Sequence, residues 1–138
     1  MAQARTGSAR ELNGNRGQGN MDIERFDATN RMCDAVALDR MVWVSGQVPA
    51  TLDAPIEQQT GEVLGRLDAM LARAGSDKSH LLTVTIYLCD FRHYAGMNGA
   101  WDRWVDPANP PARDCFKVEL AHPGWKVEIA ATAVRRQR

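Results

Sequence analysis

Seven apolar side chains, Ile56, Val63, Leu64, Leu67, Met70, Leu71 and Ala74, fall at offsets 0, 7, 8, 11, 14, 15 and 18 in one segment of the chain. At helical pitch these offsets stack into a single stripe, and Glu57, Glu62, Arg66 and Asp68 lie largely off it. A stripe of that width must be buried against an apolar surface. Asp53, followed by Ala54 and Pro55, reads as the N-cap and first turn, and Gly75 as the stop. The segment predicts a long helix covering a sheet.

The flanking text supplies the strands. Cys33, Ala35 and Ala37 alternate with more polar neighbours, Asp39-Arg40 interrupts, and Met41 to Val44 is β-rich, which predicts a hairpin running up to Ser45-Gly46. Gly46 marks either a bulge or a place where backbone comes close to a ligand. A strand over residues 81–88 puts Leu82, Val84, Ile86 and Leu88 on one face. Phe91, Tyr94, Met97, Trp101, Trp104 and Val105 form a second helical stripe, ended by Pro107 and the Asn109-Pro110-Pro111 run. Residues 112–120 and 125–134 read as two more strands. The order β-β-α-β-α-β-β predicts an α+β single domain with two helices packed on one face of a mixed sheet. The other face holds Thr83, Thr85 and Tyr87 on one strand and Glu128, Ala130 and Thr132 on another. A small sheet with so mixed a second face is expected to be covered by another copy of itself.

Length and charge limit the function. A chain of 138 residues makes one domain, so its cleft is shallow or shared between subunits. Lys plus Arg and Asp plus Glu both number 17, a balance that excludes bulk electrostatic binding of nucleic acid. Residues 1–20 carry Arg5, Arg10 and Arg16, four Gly and three Asn, and are expected to be a flexible extension ahead of a domain spanning residues 21–138. Arg135, Arg136 and Arg138 close the chain as a solvated tail or as a contact for RNA or a membrane surface. Cys33, Cys89 and Cys115 form no CxxC, and neither a signal-like segment nor a run of 18 apolar residues occurs, so a reduced cytoplasmic protein with no membrane association is expected. His80, His93 and His122 lack metal-ligand spacing, so no metal site is expected.

Three residues stand out as candidates for chemistry. Arg113 follows the rigid Asn109-Pro110-Pro111-Ala112 turn at the head of a strand. It is either a surface ion-pair partner or a guanidinium presented for two parallel bonds with a small carboxylate. Glu128 lies among Val127, Ile129 and Ala130, where it either faces solvent or sits as an acid in a poorly hydrated groove, able to hold water and exchange a proton. Cys115 shares strand parity with Arg113 and is either a half-buried filler or a nucleophile.

VSGQV at 44–48, the long helix ending in AGS, TVTIYLCD, MN at 97–98, NPPAR at 109–113 and VEIAATA at 127–133 together resemble the Rid family of reactive-intermediate deaminases, also called the YjgF family. The resemblance covers about residues 31 to 134, and WDRWV before the proline run is closer to the YoaB-like branch. It implies a chorismate-mutase-like fold, a homotrimer with a barrel-like core, and clefts at the subunit boundaries. It implies that Arg113 grips a substrate carboxylate, that Glu128 adjoins the catalytic water, and that the backbone around Cys115 contacts the imine nitrogen. Ser45 and Gly46 match the cleft wall, with Asn98 beside it.

The activity so implied is hydrolysis of reactive enamines or 2-imino acids to 2-keto acids and ammonia, which needs no cofactor because positioning and proton transfer suffice. In one respect this chain departs from the pattern. Deaminases of this family typically have tyrosine and serine where Met32 and Cys33 stand here, so a polar, planar wall is replaced by a softer one. Substrate preference is therefore open, and a small-metabolite binding or regulatory protein of the same fold is the alternative. An RNA-cleaving role is also attached to the family; balanced charge and the lack of a His pair argue against it here.

Overall fold

A computed structural model describes residues 22–137. Six strands and two helices follow in the order β1 (Glu24–Phe26), β2 (Ala35–Leu38), β3 (Met41–Gln47), α1 (Ile56–Arg73), β4 (Leu81–Leu88), α2 (Tyr94–Trp104), β5 (Ala112–Lys117) and β6 (Val127–Val134). The expected α+β arrangement is present, with one addition. The three-residue β1 pairs antiparallel with β2 at the edge of the sheet, and a segment so short carries no periodicity for sequence reasoning to find. The proposed extension over residues 1–20 lies outside the described residues.

The strands form one open sheet in the order β1-β2-β3-β6-β4-β5. All described pairings are antiparallel except β4 with β5, whose connection passes through α2. One face is the core. Val42 and Val44, Val84, Ile86 and Leu88, and Val127, Ile129, Ala131 and Ala133 point there and are buried under α1. The helix contributes Val63, Leu64, Leu67, Met70 and Leu71, as its stripe requires. Fully burying a side chain such as Leu64 or Leu67 contributes about 1.5–3 kcal/mol.

Gly75 ends α1 as expected, with φ of 84°. Its N–H reaches the Ala72 carbonyl at 3.1 Å and the Ser76 N–H reaches that of Leu71 at 2.8 Å, the paired bonds of a Schellman stop. The other end differs from expectation. Asp53 is not the N-cap: it adopts a left-handed φ of 59° two residues earlier, and Pro55 occupies the cap position without a side-chain bond. Gln59, fully buried in the first turn, performs the fastening instead. Its amide donates to the carbonyls of Thr51 (3.0 Å) and Gly124 (2.9 Å) and accepts from the Lys126 N–H at 2.8 Å, tying α1 to the β5–β6 loop.

Two apolar patterns are also corrected. Leu82 is exposed, because a register shift between Leu81 and Thr83 turns Leu81 inward in its place. Phe91 and Tyr94 do not join Met97 and Trp101 in the core. They lie at the mouth of α2, 53% and 42% exposed. Trp104 packs at the margin, its indole N–H donating to Asp68. No helix among the described residues is long and apolar enough to cross a membrane.

The outer face of the sheet carries Val36, Trp43, Tyr87, Phe116, Ala130 and Val134 between threonines, and Trp43 and Phe116 are exposed there. Tyr87 and Phe116 lie in ring contact at 6.5 Å, and Thr83 and Thr132 share a hydroxyl bond of 2.6 Å.

Candidate functional site

Arg113 points to the helix side of the sheet. In the parallel ladder it is level with Val84, and Cys115 is level with Ile86, so both share the face of those core residues at the free edge β5. Three side chains of α2 hold the guanidinium. Asn98 Oδ1 accepts from Nη1 at 2.8 Å, the Tyr94 hydroxyl oxygen accepts from Nη2 at 3.3 Å, and the Trp101 ring lies beneath, 5.2 Å from the guanidinium carbon to the ring centroid. Asn98 was foreseen. Tyr94 and Trp101 share core spacing: Trp101 is in the core and also presents its ring to Arg113, whereas Tyr94 stays exposed and reaches Arg113 through its hydroxyl.

Cys115 is a half-buried free thiol packed against the core. Burial pushes its pKa up, and the charge on Arg113 offsets part of that. Burial of this kind disfavours the thiolate, the nucleophilic form of a cysteine.

Glu128 is on the opposite face. It pairs with Tyr87 and alternates with Val127 and Ile129, both buried under the helix. Its carboxylate has no hydrogen-bond partner among the described residues, and burial raises its pKa. Gly46 accounts for its position. The β3–β6 ladder bulges between Val44 and Gln47, and a Cβ placed on Gly46 would overlap the Glu128 carboxylate. Gly46 is thus at a bulge, and the group its backbone approaches is the Glu128 side chain. Beside it, Ser45 donates its N–H (2.9 Å) and its hydroxyl (3.0 Å) to the Asp34 carbonyl. Met32 is exposed and Cys33 half-buried in the segment entering β2, where Thr29 accepts the Met32 N–H at 3.2 Å.

The proposed residues therefore fall into two groups. Arg113, Asn98 and Cys115 lie on the helix side at one edge; Glu128, Gly46 and Ser45 lie on the outer face. β4 stands between β5 and β6, and the two registers differ by three residues along it, from Val84 to Tyr87. The separation is roughly 10 Å across the strands and roughly 10 Å along them.

The α+β sheet that carries these residues is one that known proteins share. Residues 22–135 match the family described as endoribonuclease L-PSP. A RutC family protein of Haemophilus ducreyi is 42% identical over 111 residues, covering 80% of this chain and 95% of that protein. The RutC family protein YoaB of Escherichia coli is 41% identical over 113 residues, 82% of this chain and 98% of that one. A solved YjgF family protein of Neisseria meningitidis superposes with a TM-score of 0.83 at 44% identity, covering 86% of this chain and 99% of that one. The chain belongs to the YjgF/RutC family.

Proposed function

We propose that this protein hydrolyses reactive 2-imino acids, formed from enamines, to 2-keto acids and ammonia, in clefts completed between the copies of a homotrimer. The observation that carries the proposal is the state of Arg113. Of its five N–H donors, one is held by Asn98 and one by Tyr94, and three remain for a ligand on a guanidinium that lies over the Trp101 ring. A carboxylate takes two of them in parallel.

Water adds to the imine carbon, the C=N π pair moves to nitrogen, and nitrogen takes a proton. The carbinolamine nitrogen then takes a second proton, the C–N bond breaks with its electron pair staying on nitrogen, ammonia leaves, and the hydroxyl loses its proton to give the keto group. Glu128 holds the attacking water and relays these protons; its raised pKa suits a carboxylate that must both accept and return one. No metal or cofactor is called for in this scheme. Because Arg113 and Glu128 occupy opposite faces of the sheet, we assign the Glu128, Gly46 and Ser45 side of each cleft to a neighbouring copy. The exposed Trp43 and Phe116 on that outer face support such an assembly.

The test is ammonia release from freshly generated 2-iminopropanoate, measured against spontaneous hydrolysis and extended to bulkier imino acids. Turnover above the spontaneous rate is expected. Met32 favours a second reading, since its exposed thioether puts no polar group at that position. If 2-keto acids bind through Arg113 while hydrolysis never exceeds the spontaneous rate, the protein is a metabolite-binding member of the family.

A further inference from the structure

We infer that Tyr94 is a direct ligand of the substrate carboxylate, donating its hydroxyl proton to an oxygen that the Arg113 guanidinium also holds. The inference rests on the reading of Arg113 as the carboxylate site. Its starting point is the direction of one hydrogen bond. Arginine carries no acceptor, so in the 3.3 Å contact between Nη2 and the Tyr94 hydroxyl the guanidinium donates and the phenol oxygen accepts. The phenolic proton must then point elsewhere, and no acceptor for it exists among the described residues.

In the free protein that proton meets solvent, and a carboxylate bound at Arg113 is placed to take it in place of water. Nη2 retains a second N–H, so two donors 3.3 Å apart stand side by side at the same edge. An acceptor oxygen at about 2.8 Å from each closes a triangle on that base. A carboxylate oxygen has two lone pairs, one for each donor. The ring is fixed from behind, because Phe91 meets Tyr94 edge-on with centroids 6.5 Å apart. Tyr94 nevertheless remains 42% exposed, as a group that meets a ligand from solution must be. The Tyr94 ring beside the anchor and the Phe91 ring against it are apolar, so the substrate class is a small 2-imino acid carrying an apolar side chain.

Titration of the full-length protein with pyruvate, the product of 2-iminopropanoate hydrolysis, tests the inference by calorimetry. Tyr94→Phe keeps the exposed ring and removes only the hydroxyl, and it should weaken pyruvate binding roughly three- to tenfold. Replacing Tyr94 by fluorotyrosine, at a mildly acidic pH that keeps the phenol protonated, separates contact from bracing. The fluorinated phenol is a stronger donor and a weaker acceptor, so pyruvate binds more tightly if Tyr94 donates to the ligand and more weakly if it only accepts from Arg113. Weaker binding by the fluorotyrosine protein overturns the inference, as does a Tyr94→Phe protein that matches wild type while Arg113→Lys loses affinity; in both cases the site itself stands. If wild type and Arg113→Lys bind pyruvate equally, Arg113 is not the carboxylate site and the inference falls with it.

Discussion

The Glu128 carboxylate occupies the space that a side chain at Gly46 would need. A glycine at a β-bulge is often explained by backbone freedom, but Gly46 has no positive φ among the described backbone angles, so contact is the constraint. Gly46→Ala is therefore expected to displace the carboxylate while the fold survives, because the group in the way is the far end of a flexible side chain. The expected cost is about 1–3 kcal/mol in unfolding free energy. Turnover should fall roughly tenfold to a hundredfold, since the displaced group is the proposed proton relay. Adding Glu128→Ala should restore the lost stability without restoring turnover. Full activity in folded Gly46→Ala would separate Glu128 from the chemistry.

Glu62 and Glu128 should titrate with opposite signs. Glu62 accepts the Gln58 side-chain amide, the N–H and hydroxyl of Thr51 and the N–H of Ala50, and these bonds hold its pKa down to about 2. Its contribution to stability is complete above its ordinary value of 4.5 and is lost as pH falls toward about 2. Glu128 is raised by burial, so the folded state binds its proton more tightly than the unfolded chain. That stabilisation is complete below the unfolded value of 4.5 and disappears as pH rises through the folded value. Urea midpoints followed from about pH 3 to about pH 7 should show Glu62→Gln falling behind wild type as pH rises. Glu128→Gln should gain on wild type over the same range. Parallel curves for Glu128→Gln and wild type would show that the carboxylate is as well solvated in the fold as outside it.

Gln59 joins three segments through one side chain, and its replacement should be costly. Gln59→Leu fills a similar volume but leaves the Lys126 N–H and the Thr51 carbonyl without the partners they have now. The Gly124 carbonyl keeps the Asp53 N–H at 3.0 Å. Two part-buried groups that lose their partners, one of them on the exposed Thr51, predict a loss of about 1–2 kcal/mol, read from chemical denaturation. A loss under about 0.5 kcal/mol would show that water or a loop shift satisfies both groups. The β5–β6 loop should also exchange its amide hydrogens faster in the variant.

Much of the fold is legible in the sequence because burial imposes a period. The stripe from Ile56 to Ala74, the β4 alternation and the Gly75 stop each reflect a local rule, and the structure contains all three. Leu82 escapes because a bulge moves the register by one residue, and nothing in LLTVTIYL marks where. Phe91 and Tyr94 escape for a different reason. They have helix-core spacing, but Phe91 lies in the short 3-10 turn Phe91–His93 and Tyr94 is the first residue of α2, where both stay exposed, and spacing is silent about where a helix loses its cover. In the candidate site, the parity of Arg113 and Cys115 is legible because strand geometry alone decides it. The separation of Arg113 from Glu128 is not, since it depends on the non-local order β6-β4-β5.

That separation gives the proposed assembly a test of its own. Arg113→Lys keeps the charge and loses the guanidinium fork, whereas Glu128→Gln keeps the shape and loses proton exchange, so each variant alone should lose most imine hydrolysis. If every cleft draws Arg113 from one copy and Glu128 from its neighbour, a mixed trimer contains boundaries where an intact arginine faces an intact glutamate. Random reassembly of equal amounts makes one boundary in four of that kind, so about a quarter of wild-type activity should return. Dissociation in mild denaturant, mixing and refolding, with light scattering to verify the trimer, is the measurement. If both residues of each cleft come from the same chain, no boundary is intact and mixing restores nothing. A mixture that stays inactive, although mass spectrometry shows the subunits have exchanged, would therefore overturn the shared cleft while leaving the carboxylate anchor at Arg113 in place.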